Sequence, residues 1–361
     1  MAQAVVADNW SLQDISTLFA QGLERRSVDE IVFEGGQHFY RPVSHAVIQT
    51  EALFDLITDL ILRDEILVEE RYCDDDDCPI FEAKGAGVVR SYSFLNEAEK
   101  ITAPRDRIID HICSAESLRL AHEANLNGWI FNRQTQDPLL SATLWGGAGM
   151  CARSFLYEKS YTPHPLRKKL FINSGFMLST TDSSDEVMHF LNDDKVSVSK
   201  KRYGNDAFYS AHIKIPALPI NVIQESNSPK QMISIALQMR DDYQPLRNWL
   251  KHFQDAISSE DTQSLLNYRN ELDSIIQALD NKISPGNNSP LTMEAGIGIF
   301  KFAMPEDPIE NIKNQFGIRS TLNKLSFGEA ARQPLKKYLA MFDEVGSDVA
   351  GEVERTFVCS H

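Results

Sequence analysis

Long apolar runs are missing from this sequence. The longest apolar region, residues 53–68, is broken by Asp55, Asp59, Arg63, Asp64 and Glu65. No stretch is therefore long and clean enough to cross a bilayer, and no membrane partner is expected. Cysteine is scarce, with 5 in 361 residues. An odd, small number in a long chain excludes a disulfide frame and fits reduced thiols in a cytoplasmic protein. No Cys-x2-Cys pair occurs. Cys73-x4-Cys78 and His111-x-Cys113 have the right ligand types for zinc, but two positions apart on a helix His111 and Cys113 face different ways, so no metal site is assigned. Neither G-x-x-x-x-G-K-[ST] nor G-x-G-x-x-G is present, which removes the common phosphate-cradling loops. Residues 1–10 lack a basic lead and a sustained apolar run, so no signal peptide is expected. Positive charge is also short: 36 Lys and Arg stand against 51 Asp and Glu, giving a net charge of −15. Any nucleic-acid surface must then be a local patch.

A hydrophobic share of 42% and a charged share of 24% provide for a sizeable core, and 361 residues suggest two domains. Acidity is concentrated early, with 20 acids against 8 bases in residues 1–100, whereas residues 151–215 hold 10 bases against 7 acids. The expected fold is α+β and helix-dominated. An acidic mixed α/β domain at 1–137 leads through a glycine-rich, mildly basic connecting region at 138–218 to a helical domain at 219–361.

The strongest architectural signal lies at 228–282. Met232, Ala236, Met239, Tyr243, Leu246, Leu250, Phe253 and Ile257 alternate in steps of four and three and paint one seam along a helix. Ser228-Pro229-Lys230-Gln231 supplies a helix start, and Pro245 should kink this helix by removing one hydrogen bond. Leu265, Tyr268, Leu272, Ile275 and Leu279 repeat the rhythm after a short polar break, which predicts a long antiparallel helical hairpin. Upstream, the patterns predict a helix over 11–26, a β-hairpin of Val28–Phe33 with His38–Val43, a helix from Thr50 and a strand at Glu65–Tyr72.

Four features bear on chemistry. Glu82-Ala83-Lys84 downstream of Asp76 resembles the E-x-K pattern of restriction-endonuclease-like nucleases, in which carboxylates hold Mg²⁺ and the lysine positions a water. Such a resemblance implies Asp76, Glu82 and Lys84 as catalytic residues. Gly146-Gly147-Ala148-Gly149 would cradle a phosphate if a helix followed it, with Cys151 as an activated thiol at that helix start. His164, between two prolines, is a loop base without an assigned partner. Finally Arg167-Lys168-Lys169 beside Phe171, and Lys200-Lys201-Arg202 beside Tyr203, combine cations with aromatics as nucleic-acid binders do. Against these stands the helical seam, which suits a core or a partner interface. The leading expectation is an interaction or assembly protein that binds a partner protein, or itself, through its helical half. A Mg-dependent nuclease and a nucleic-acid-binding module are the alternatives.

Overall fold

The computed structural model describes residues 4–34, 37–73, 78–93, 98–113, 118–123, 137–157, 159–173, 211–213, 218–258, 293–295 and 332–342, with isolated positions at 271, 349, 351 and 353. The chain is helix-dominated, with a small sheet built largely from its N-terminal part.

That sheet has four short strands: β1 (Ala4–Ala7), β4 (Glu65–Glu69), β5 (Val89–Tyr92) and β6 (Ser160–Thr162). Its order is β5-β4-β1-β6 and every pairing is parallel, with Val5 opposite Ile66 and Val6 opposite Tyr161. Val5, Ile66 and Val68 enter one hydrophobic core while Val6 and Leu67 enter another, so both faces of the sheet are covered. Burial on both sides explains why Ala4-Val5-Val6-Ala7 shows no polar alternation. β1 is absent from the sequence-based expectation for the same reason, and β6, only 3 residues long, is too short to show a pattern.

Between β1 and β4 run α1 (Asn9–Gln21), the antiparallel ribbon of β2 (Ser27–Glu34) and β3 (Gln37–Ser44), and α2 (His45–Leu62). The expected β-hairpin is therefore present. It forms a two-stranded sheet of its own, with Phe39 and Tyr40 exposed on β3. α2 starts at His45 rather than Thr50 and is buried around most of its circumference, as a helix packed on several sides must be. α1 begins at Asn9, two residues before its expected start, and is capped by Asp8. β4 is shorter than its expectation, since Glu70–Tyr72 turn into a 3₁₀ segment.

After β4 come α3 (Phe81–Gly85), β5 and α4 (Ala98–Ile112). Residues Pro138–Leu140 then run through a π-helical stretch, Ser141–Trp145, into α5 (Gly146–Leu156). β6 and α6 (Pro165–Asn173) follow. Next are β7 (Ala211–Ile213), α7 (Leu218–Glu225), α8 (Pro229–Asp242), α9 (Gln244–Ser258), β8 (Met293–Ala295), which pairs antiparallel with β7, and α10 (Arg332–Met341). α8 packs on α2, and α7 packs on both α2 and α10.

Pro245 does more than kink the expected helix. Helix α8 ends at Asp242 and α9 starts at Gln244, with Tyr243 as the turn between them, because Pro245 cannot donate to the carbonyl four residues back and its ring collides with it. The seam residues Met232, Ala236, Tyr243 and Leu246 are all buried. Pro229 takes the first helical position, but Ser228 makes no side-chain cap; Gln231 Oε1 instead accepts from the Asn227 N–H at 2.8 Å. The second arm of the expected hairpin, 265–279, lies outside the described residues, apart from Glu271 in a helical position.

Candidate functional site

The chain leaves β1 for β4 and β5 on one side, then returns to place β6 on the other. The carboxyl ends of β1 and β6 therefore form a topological switch point, the place where α/β sheets gather their ligands. Asp8 follows β1 directly, and Thr162 ends β6 two residues before His164.

The Asp8 carboxylate is fully buried and held from four directions. Its Oδ1 accepts from the Trp10 N–H at 2.8 Å and from Arg167 Nη1 at 2.5 Å. Its Oδ2 accepts from the His164 N–H at 3.0 Å and from the Tyr161 hydroxyl. Burial pushes the carboxyl pKa up, but the charges of Arg167 and His164 and the Tyr161 hydrogen bond outweigh it, and the group is held below its ordinary value. Arg167 also donates from Nε to the Ala142 carbonyl at 2.9 Å and lies over the Trp10 ring, 5.3 Å from its centroid.

A second chain of side chains crosses the first. His164 stacks flat on Trp10, with centroids 4.0 Å apart and planes within 4°. Its Nδ1 accepts from the Leu166 N–H at 3.3 Å, so its proton sits on Nε2, which donates to Asp14 Oδ2 at 3.0 Å. The same oxygen meets His45 Nε2 at 3.2 Å, while His45 Nδ1 meets Glu24 Oε2 at 3.1 Å. Desolvation dominates at His164 and lowers its pKa. Desolvation also opposes the charge of His45, but the hydrogen bonds and charges of Asp14 and Glu24 prevail and raise it. Burial works against the Asp14 carboxylate too, yet the two histidines hold its pKa at about 2. Beside this chain Thr162 Oγ1 donates to Asp59 Oδ2 at 2.6 Å.

The network holds its atoms rather than presenting them. Four donors occupy Asp8, and both nitrogens of each histidine already have partners. In this conformation neither imidazole has a nitrogen left to take a proton from a substrate.

The glycine-rich segment is not a phosphate cradle. Gly146–Leu156 is itself the helix α5, entered from the helical Ser141–Trp145, so its N–H groups belong to a continuing helix rather than to a loop that opens one. Its glycines make room instead: a Cβ on Gly147 would stand 2.8 Å from the Phe171 ring, and one on Gly146 would stand 2.4 Å from Arg167 Nη2. Cys151 is buried and desolvation raises its thiol pKa well above the ordinary value, the opposite of activation.

The first basic run is engaged internally. Arg167 meets Asp8, Lys168 Nζ stands 3.2 Å from Glu51, and Lys169 Nζ stands 2.7 Å from Glu30. Lys200, Lys201 and Arg202 lie outside the described residues, as does Asp76. Glu82 and Lys84 sit on helix α3, where positions two apart project to different faces. Among the described residues no three His, Cys, Asp or Glu side chains are grouped so as to hold a metal ion.

An open concavity of about 690 Å³ lies elsewhere, between α3 and α8. Phe81, Glu82, Gly85 and Ala86 form one wall; Ser234, Leu237, Gln238 and Asp241 form the other. The second set follows the i, i+3, i+4, i+7 spacing of a single helical face. This face lies beside the buried seam, and the seam fixes it by packing α8 on α2. The heptad reading marked the seam and passed over this neighbouring stripe, whose only apolar member is Leu237. Phe81 is 39% exposed on the opposite wall.

Compared with known proteins, the chain matches no family model, no curated protein and no solved structure.

Proposed function

We propose that the protein is an interaction or assembly component that binds a partner protein at a groove which α8, from its helical half, forms with α3 from the N-terminal part. The observation that carries this reading is the exposed Phe81 facing a second helical face with Leu237 at its middle. An exposed aromatic beside an apolar concavity is the usual anchor point of a protein interface. The polar network at the switch point supports the reading from the other side: its hydrogen-bonding atoms are occupied, which suits a scaffold better than acid–base chemistry.

A photo-crosslinking residue in place of the exposed Gln238, in the full chain expressed in its host, tests the proposal. A discrete adduct is expected at position 238 and not at the exposed Leu120. It should vanish when Gly85→Trp fills the groove, since a Cβ at Gly85 meets nothing within 4 Å. No adduct, or one indifferent to Gly85→Trp, overturns the proposal.

A further inference from the structure

We infer that the partner element received by the α3–α8 groove is a short basic amphipathic helix, an inference that rests on the reading just given. Two properties of the groove and one of the whole chain point to it. Both charged residues in its lining, Glu82 and Asp241, are acidic, and both are exposed. Arg240, the adjacent cation on α8, spends its Nη1 on the Leu60 and Arg63 carbonyls, so it and Arg247 act on Asp241 through charge and through no hydrogen bond among those described. The chain as a whole carries a net charge of −15, which favours a cationic partner at long range.

The groove also fixes the size of its occupant. From Ser234 to Asp241 the α8 wall spans two helical turns, roughly 10 Å at the usual rise. That length takes two turns of a partner helix laid along the groove, with one apolar anchor meeting Phe81 and Leu237. Lysine or arginine one turn to either side then reaches Glu82 and Asp241. A contact this small is of the weak, transient class, and its charged part is screened by salt.

The probe is a fluorescein-labelled amphipathic peptide of three turns with leucine at i, i+3, i+4 and i+7 and lysine at the flanking positions, together with a twin carrying glutamate for each lysine. Fluorescence polarisation with the full chain should show the lysine peptide binding and the twin not binding. The double variant Glu82→Lys with Asp241→Lys should weaken the lysine peptide by roughly tenfold and admit the twin. Gly85→Trp should abolish binding. All three substituted positions, 82, 85 and 241, are exposed, so the fold is retained. If the two peptides bind alike and Gly85→Trp still removes both, the basic partner is overturned while a groove for apolar helices stands. If Gly85→Trp affects neither peptide, both readings fall. If the unliganded chain self-associates in sedimentation and Gly85→Trp dissociates it, the occupant is a second copy, and the basic helix is again overturned.

Discussion

His45 and His164 share one oxygen. Asp14 Oδ2 lies 3.2 Å from the first and 3.0 Å from the second, and the two imidazoles are driven in opposite directions, His45 up and His164 down.

The pH dependence of stability follows from these signs. His45 has a folded pKa above 6.5, so its contribution is complete below 6.5 and is lost as pH rises through the folded value. His164 has a folded pKa below 6.5, so its contribution is complete above 6.5 and is lost as pH falls through the folded value. Urea denaturation between about pH 5 and pH 9 should therefore show His45→Gln losing most stability at the acid end, and His164→Gln at the alkaline end. The loss in each case should be about 1.5–3 kcal/mol, the range of a hydrogen bond to a charged group. Parallel pH profiles for the two variants would contradict the assignment.

Asp8 and Arg167 form a buried ion pair whose partners are separated by 159 residues. Removing one partner leaves an unpaired charge, so Asp8→Asn and Arg167→Leu should each cost about 3–5 kcal/mol. The double variant should cost much less than the two together, and the coupling is read from a double-mutant cycle in urea. Strict additivity would show that the pair does not act as one unit.

Two glycines of α5 should respond with opposite signs when changed to alanine. At Gly149 the new Cβ meets only Arg153 Nη1 at 3.7 Å, an ordinary contact, so helix propensity decides and the gain is about 0.5–1 kcal/mol. At Gly147 the Cβ would stand 2.8 Å from the fully buried Phe171 ring. Overpacking of about 1–3 kcal/mol then exceeds a propensity gain of about 1 kcal/mol, and the variant should be less stable by thermal melting.

Thiol reactivity offers an independent check. Burial pushes Cys113 up to about 12 and Cys151 well above its usual range, while Cys78 is only half-buried. Brief iodoacetamide treatment at neutral pH should label the Cys78 peptide and spare those of Cys73, Cys113 and Cys151. All four should react in denaturant. Rapid labelling of native Cys151 would contradict its placement.

Elements with a strong local pattern were legible in the sequence. The β2–β3 ribbon showed its turn and its strand-forming residues, and α2 and α8 showed helical spacing. The switch-point network was not legible, because its members come together only through long-range pairing. Asp8, Asp14, His45, Tyr161 and Arg167 are scattered over 160 residues. An acid directly after the apolar Ala4–Ala7 run was the one local sign, and it is weak in so short a strand. Arg167-Lys168-Lys169 reads as a surface run because sequence proximity suggests shared exposure. A helix instead fans the three cations around its axis, to three different carboxylates. The glycines of α5 look like a loop until Phe171 and Arg167 are seen pressing on that helix.

The inner position of β1 governs how the sheet can be assembled during synthesis. One neighbour, residues 65–69, leaves the ribosome early, but the other, Ser160–Thr162, is made about 155 residues after β1. Until then β1 is an open edge, free to accept a strand from another nascent chain. Fragments ending before residue 160 should accordingly aggregate, whereas longer chains carry the strand that closes that edge.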